Sequence, residues 1–357
     1  MATSATAAAP LTPAQLDAYL ARISFPRELH PANRVDLLGQ LLAHHLNTVP
    51  FESISIHYNP AQPPLLDLSP EGLFDKIVTR KRGGYCVEVN QLFRDLLRTL
   101  GFSVIPVSAR VSHSAAGNHD GGFLGFSHMA ILVDIDNERY VVDVGFGPDV
   151  SPVPLKLVFP ARQPTFGPGP VHDDLTETTS VAEYDGVSPQ RFKIEYRKLK
   201  DHTDPRQRAW VVSGRRTPEG EFYDNYAFND FECFPQDYGV MNWSSNIGPQ
   251  SFFVRTVIAQ RFLSEQELAK EDTTAPYVHA ETTGRTGSLE LAGTIALAGT
   301  ALRRRVHGVD ETIATFSTEA ERVALLAKYF GIVLTKAEQD GIRSRPTELV
   351  PKADATA

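Results

Sequence analysis

One break in pattern constrains what this chain can fold into. Up to residue 101 the apolar side chains recur at helical spacing, and beyond it they follow strand patterns. The clearest helical run is Val89, Leu92, Phe93, Leu96, Leu97 and Leu100, which step by three and four and are stopped by Gly101. Three more helices precede it. Residues 13–23 form a short amphipathic stretch. Val35, Leu38, Leu41, Leu42 and Leu46 share one face from Asn33 onward. Ser69 can cap a third helix, with Pro70 at its first position and Leu73, Phe74, Ile77 and Val78 as its buried face.

After residue 101 the reading is of strands. Residues 102–111 are β-rich, and residues 128–135 and 139–144 form two strands joined at Asp136-Asn137, a pair suited to a tight hairpin turn. Residues 156–186 are rich in Pro, Gly, Thr and Asp and read as a long loop or insertion. Strands resume at 191–199 and 209–213. A third region starts near residue 221 with a loop-rich aromatic stretch. It continues with a strand at 251–259, short strands around His279 and at 287–302, and a helix at 318–329. The tail from 343 reads as disordered. The expected division is therefore α+β and multi-domain: 1–101, 102–220, 221–342 and the tail 343–357. A chain of 357 residues has room for two or three cores.

Composition closes off several function classes. The formal net charge of -8 argues against a basic nucleic-acid surface. Cys86 and Cys233 are the only cysteines, too few for a disulfide framework, which fits a reduced, cytoplasmic protein. The Ala/Ser/Thr-rich start lacks the basic and apolar segments of a signal peptide. No apolar run reaches the roughly 18 residues that a membrane-spanning helix needs. Asn242-Trp243-Ser244 fits the glycosylation pattern, a chance match in a cytoplasmic protein.

Chemistry concentrates around Cys86, in Arg82-Gly83-Gly84-Tyr85-Cys86-Val87-Glu88-Val89-Asn90. Because the apolar face begins at Val89, Cys86 falls in or just before the first helical turn. Free N–H groups there can hold an anionic sulfur and later an oxyanion. Most cysteines are small buried thiols, and Cys233 is read as one. A thiol nucleophile needs a base, and the base an orienting group. If Asp136-Asn137 is the hairpin turn, Ile135 opposes Glu138 and Asp143 opposes Ala130. That puts Asp143 on the face of His128, one diagonal step away. A one-residue slip would separate them. Taken singly, either is more often a satisfied core histidine or a loop aspartate. His44 and His45 are adjacent on a helix and share no face. His113, His119 and Asp120 lie in a Gly/Ser-rich loop, and without HExxH or paired CxxC spacing no metal site is expected. Phosphate loops, GxGxxG before a helix and GxSxG are likewise missing.

In order along the chain, these motifs resemble the arylamine N-acetyltransferases, in particular eukaryotic, fungal-type members. Arg82-Gly83-Gly84-Tyr85-Cys86 with Glu88 and Asn90 is similar to that family's nucleophile segment. Ser127-His128 is similar to its histidine segment, and Val142-Asp143-Val144-Gly145-Phe146-Gly147 to its aspartate segment. Val49-Pro50-Phe51-Glu52-Ser53 resembles its Pro-Phe-Glu-Asn stretch, with Ser53 in place of Asn. The stretch from Asn242 through Pro249, with Ser251 and Phe253, resembles its coenzyme A-binding stretch. The resemblance covers about residues 12 to 335. Val87 stands where the family usually has Phe, and residues 156–186 look like the inter-domain insertion of eukaryotic members.

The resemblance implies a helical bundle, a central β-barrel and an α/β lid, with a papain-like triad of Cys86, His128 and Asp143. It implies ping-pong transfer of an acetyl group from acetyl-CoA to an arylamine or arylhydrazine, a xenobiotic-detoxifying activity, by a cytoplasmic monomer without metal. Phe51, Val111, Gly125, Phe126 and Phe146 are expected to line the acceptor and thioester cleft. Ser244, Gln250 and Ser251 are expected to contact the coenzyme. Arg82 and Glu52 are expected to form a buried ion pair supporting the nucleophile loop. Two alternatives stay open: malonyl-CoA as the donor, and a papain- or transglutaminase-like thiol hydrolase.

Overall fold

Local sequence signals decide most of the helical N-terminal part. The computed structural model describes residues 10–61, 63–158, 181–269 and 288–350. Helix α1 (Pro13–Arg22) starts where the Thr12 side chain accepts from the Gln15 N–H, with proline at the first position. Helix α2 (Arg34–Thr48) starts at Asn33, whose side chain accepts from the N–H groups of Val35 and Asp36. A two-residue strand β1 (Phe51–Glu52) and a single turn α3 (Ile54–His57) follow. Ser69 caps α4 (Pro70–Phe74), which widens into a π turn over Asp75–Thr79. Helix α5 (Cys86–Thr99) is the longest of the later helices here, and Gly101 leaves it in the left-handed conformation at φ 77°.

Strands β2 (Ser103–Ser112), β3 (Phe123–Ile135), β4 (Glu138–Val142), β5 (Leu155–Lys156), β6 (Val181–Asp185), β7 (Arg191–Arg197), β8 (Ala209–Arg215) and β9 (Tyr223–Phe228) make one antiparallel sheet. Its order is β5-β4-β3-β2-β9-β8-β7-β6. The hairpin turn is the expected one. Asp136 and Asn137 both have positive φ, 50° and 64°, and Ile135 pairs with Glu138. The sheet curls around Val107, Ala130, Leu132, Phe192, Trp210 and Phe228. The Tyr184 side chain ties its two edges: its hydroxyl on β6 accepts from Lys156 N and donates to Lys156 O on β5, at 2.9 and 3.1 Å. The result is a nearly closed barrel. A 3-10 turn over Gly147–Asp149 leaves it beside β4.

The remaining described elements are α6 (Pro235–Ile247), α7 (Phe252–Arg255), β10 (Ile258–Ser264), α8 (Glu265–Leu268), β11 (Leu291–Ala298), β12 (Ala301–Val306), β13 (Val309–Thr315), α9 (Glu319–Phe330) and α10 (Lys336–Asp340). A second antiparallel sheet runs β1-β10-β11-β12-β13, so its edge strand comes from the N-terminal part of the chain.

Four expectations need correction. Tyr223–Phe228 is a strand of the central sheet, between β2 and β8, so the division expected at 220 falls one strand early. The "loop-rich" aromatic stretch holds helix α6. Its inner face, Tyr238, Met241, Asn242 and Ser245, has helical spacing but is half polar, so apolar periodicity misses it. The strand expected at 251–259 is a helical turn followed by a strand from Ile258. The tail is packed through residue 349. The Arg345 guanidinium donates to Asn59 O at 2.7 Å, Thr347 Oγ1 meets His57 Nδ1 at 2.8 Å, and Leu349 N donates to Glu319 at 2.8 Å. His279, and residues 159–180 of the expected insertion, lie outside the described residues.

Candidate active site

The segment before Cys86 is threaded through a gap that only glycine fits. A Cβ on Gly83 would lie 1.8 Å from Pro50 O, and one on Gly84 would lie 2.8 Å from the Glu88 side chain. Gly84 N donates to Pro50 O at 3.2 Å, and Glu52 N donates to Gly84 O at 3.0 Å. Beneath this crossing Arg82 is 2 % exposed. Its guanidinium reaches Glu52 Oε1 at 3.4 Å, Ser55 Oγ at 3.1 Å and Glu338 Oε1 at 3.2 Å. Glu88 in the first turn of α5 accepts from Tyr85 N at 3.1 Å and pairs with Lys76 at 2.7 Å. Cys86 is thus the first residue of a helix whose entry is clamped from both sides.

His128 sits on β3 opposite Ala109, and Asp143 lies one residue past β4. His128 Nε2 and Asp143 Oδ2 are 2.6 Å apart, and both side chains are almost fully buried. The other carboxylate oxygen accepts from Asn90 Nδ2 at 2.8 Å and from Gly145 N at 2.7 Å. Asn90 stands one helical turn after Cys86. Its amide also donates to Met129 O at 2.8 Å and accepts from Val144 N at 3.0 Å, binding α5 to both strands. The Cys86 thiol donates to Ser127 O at 3.8 Å and lies close enough to the imidazole to act on it electrostatically. Burial alone would lower the His128 pKa. The Asp143 charge and hydrogen bond, together with Cys86, outweigh it and raise the pKa to about 10. The structure therefore brings sulfur, imidazole and carboxylate together at the start of a helix, the components of a base-assisted thiol nucleophile.

The expected cleft residues divide. The Phe146 ring meets the His128 ring edge-on at 5.1 Å. Phe51 packs beside Gly147 and meets Phe253 at 5.9 Å, and the Phe253 ring in turn meets Tyr85 at 5.1 Å. Val111 pairs with Tyr226, whose ring is 4.9 Å from His128. Gly125 and Phe126 lie apart from this group. A bulge between Ala109 and Arg110 turns Phe126 toward Arg110, 4.2 Å above its ring, and toward Phe231. Gly125 is exposed, and a Cβ there would touch nothing. Of the three expected coenzyme contacts, Ser244 and Gln250 are exposed, while Ser251 Oγ donates to Ser245 O at 2.7 Å. Their segment is fastened to the nucleophile loop: the Tyr85 hydroxyl donates to Asn242, which also accepts from Asn246. Cys233 is buried in the core, as expected of a structural thiol.

Two residues at this site were not assigned from sequence. Asn90 was legible as the i+4 neighbour of Cys86. Tyr226 was not, because nothing local places residue 226 beside β2. Burial, then the charge of the Asp143 carboxylate, pushes its pKa well up.

Comparison with known proteins gives this geometry a family. Residues 34–284 match the N-acetyltransferase family. The N-malonyltransferase FDB2 of Fusarium pseudograminearum (strain CS3096) is 30% identical over 356 residues, covering 92% of this chain and 91% of that protein. The solved arylamine N-acetyltransferase of Mycobacterium abscessus superposes with a TM-score of 0.68 at 20% identity, over 94% of this chain and 95% of that one. That of Mycobacterium marinum in complex with CoA gives 0.64 at 24% identity, over 94% and 99%. At such identities the two structures speak for the fold alone. With 251 consecutive residues inside the family's span and a relative matched along nearly its whole length, this chain belongs to the arylamine N-acetyltransferase family of acyltransferases.

Proposed function

We propose that the protein transfers an acyl group from a coenzyme A thioester to an aromatic amine through an acyl-Cys86 intermediate. The observation that carries the reading is the buried Cys86–His128–Asp143 chain at the first residue of α5. The Cys86 sulfur attacks the thioester carbonyl, forming the S–C bond, and the coenzyme thiolate leaves with a proton. His128 is the proton carrier, and Asp143 holds its ring and balances its positive charge. Backbone N–H groups at the start of α5 are the donors for the tetrahedral oxyanion. The amine then attacks the acyl-cysteine, His128 accepts its proton, and the thiol is restored. An arylamine suits this second step because its free base dominates at neutral pH. Phe146, Phe51 and Val111, grouped around the imidazole or the nucleophile loop, are the cleft walls in this reading.

The donor has two readings. Acetyl is the reading of the sequence motifs. Malonyl is favoured by one finding, the relative matched over 92% of this chain, which is named an N-malonyltransferase. The chain is mixed briefly with acetyl-CoA or malonyl-CoA, without amine, and its intact mass is measured. One acyl adduct on Cys86 that disappears on adding an arylamine is expected, and the donor that forms it faster is the donor class. A Cys86 that still alkylates with iodoacetamide yet takes no acyl group from either thioester would overturn the reading in favour of a thiol hydrolase.

A further inference from the structure

We propose that the groove between the C-terminal sheet and the Gly147–Asp149 turn, centred on Arg303, is an oxyanion site for the phosphate or carboxylate at the remote end of a Cys86 substrate. The sheet register leads there. Phe51 pairs with Gln260, Gln260 with Ala296, and Ala296 with Arg303, one row across four strands. Directly opposed residues of antiparallel strands share a face. Phe51 marks which face: its ring lies against Gly147, the neighbour of Phe146 over the imidazole. Pro148, Ala296, Arg303 and Arg305 are among the residues lining a groove of about 250 Å³ on that side.

The groove is basic in a chain of net charge -8. Among the described residues lining it, Arg216, Arg303, Arg304, Arg305 and His307 face one carboxylate, Asp310. Four of these bases are engaged: Arg216 with Asp149, Arg304 with Glu311, Arg305 with Asp310 and His307 with Glu265. Arg303 is exposed and forms no ion pair among the described residues. Gln260, in the same row, is 5 % exposed, and its Nε2 has no hydrogen-bond partner among them. Arg303, exposed in the groove and without an ion pair among the described residues, offers a guanidinium suited to oxygen ligands.

Distance decides which anion. Three strand spacings, about 14 Å, separate the Phe51 and Arg303 backbones. That is too far for a carboxylate beside the thioester carbonyl, so Arg303 does not select malonyl over acetyl. It suits the phosphates at the far end of a coenzyme A arm, or an acidic group at the far end of an extended acceptor.

The proposal rests on the acyl-transfer reading, and the test separates the two. Arg303→Ala and Arg303→Lys are compared with the unaltered full-length chain. Acetyl-CoA and phosphate-free S-acetylpantetheine serve as donors, each with a neutral and a carboxylated arylamine. The expected result is a KM for acetyl-CoA raised about tenfold in Arg303→Ala, partly restored in Arg303→Lys, with S-acetylpantetheine unaffected. A rise confined to the carboxylated arylamine keeps the oxyanion site and assigns it to the acceptor. Equal effects on all substrates, or none, overturn it. Calorimetric titration with inorganic pyrophosphate needs no turnover and remains readable if acyl transfer fails. Unchanged pyrophosphate binding in Arg303→Ala likewise overturns the site.

Discussion

His128 shows how much a single side chain here owes to its surroundings. An isolated buried imidazole loses its proton readily, and His45, buried without a carboxylate, has its pKa lowered to about 3 by burial and then by Arg22. His128 is equally buried, yet Asp143 at 2.6 Å raises its pKa to about 10. The consequence for stability has a definite sign. Below about 6.5 the imidazole is charged in both folded and unfolded chains, and the pairing contributes in full. As pH rises from there the unfolded chain loses a proton that the folded chain keeps, and the contribution is gone above about 10. Denaturant midpoints measured from pH 6 to 10.5 should therefore fall more steeply for the native chain than for His128→Gln. Parallel curves would show that the pair carries no such linkage.

Between elements, the fit of α5 against the β4 exit is set by one missing Cβ. At Gly145 an added Cβ would stand 2.6 Å from Cys86 Cα and 2.9 Å from Asn90 Nδ2. The atoms in the way are backbone and a fully engaged amide, so the element must shift instead of a side chain. Gly145→Ala should destabilise by about 1–3 kcal/mol through overpacking. Its acyl-transfer rate should fall on the order of 100-fold, because Asp143 and Cys86 can no longer both keep their places. Thermal melting and kcat/KM for the same preparation check this, and a variant with native turnover would mean the contact relaxes freely. The same interface explains Asn90, which joins Met129, Asp143 and Val144 to the helix that carries the nucleophile.

Across the whole molecule, Arg82 joins three parts of the chain far apart in sequence. It stands four residues before Cys86, contacts Glu52 and Ser55 near the edge strand of the C-terminal sheet, and reaches Glu338 on α10. Glu52 is fully buried. Burial works to raise its carboxyl pKa, and Lys76 and Arg82 together bring it below the usual value. Removing the guanidinium leaves that carboxylate without its nearest cation, so Arg82→Ala should cost about 3–5 kcal/mol. Equilibrium denaturation tests it, and an unchanged midpoint would refute the buried pair as a support of the site. The packed segment through residue 349 belongs to the same assembly, since Arg345 and Thr347 fasten onto Asn59 and His57 just beyond Glu52 and Ser55.

Local periodicity and capping determined α1, α2, α4 and α5, because Thr12, Asn33 and Ser69 and the stop at Gly101 act within one turn of chain. The Asp136-Asn137 turn determined the β3–β4 register, and through it the meeting of His128 with Asp143, since a two-residue turn admits one pairing. Only the tertiary structure decided which strand lies beside β2, and so brought Tyr226 to Asp143. It also decided that Phe51 and Glu52 edge a sheet formed from residues beyond 257. Contacts between distant segments leave no short-range signal, and helix α6 left none either, because its buried face is partly polar. The row from Phe51 to Arg303 is of the same kind, since four strands brought side by side create a groove that no one of them encodes.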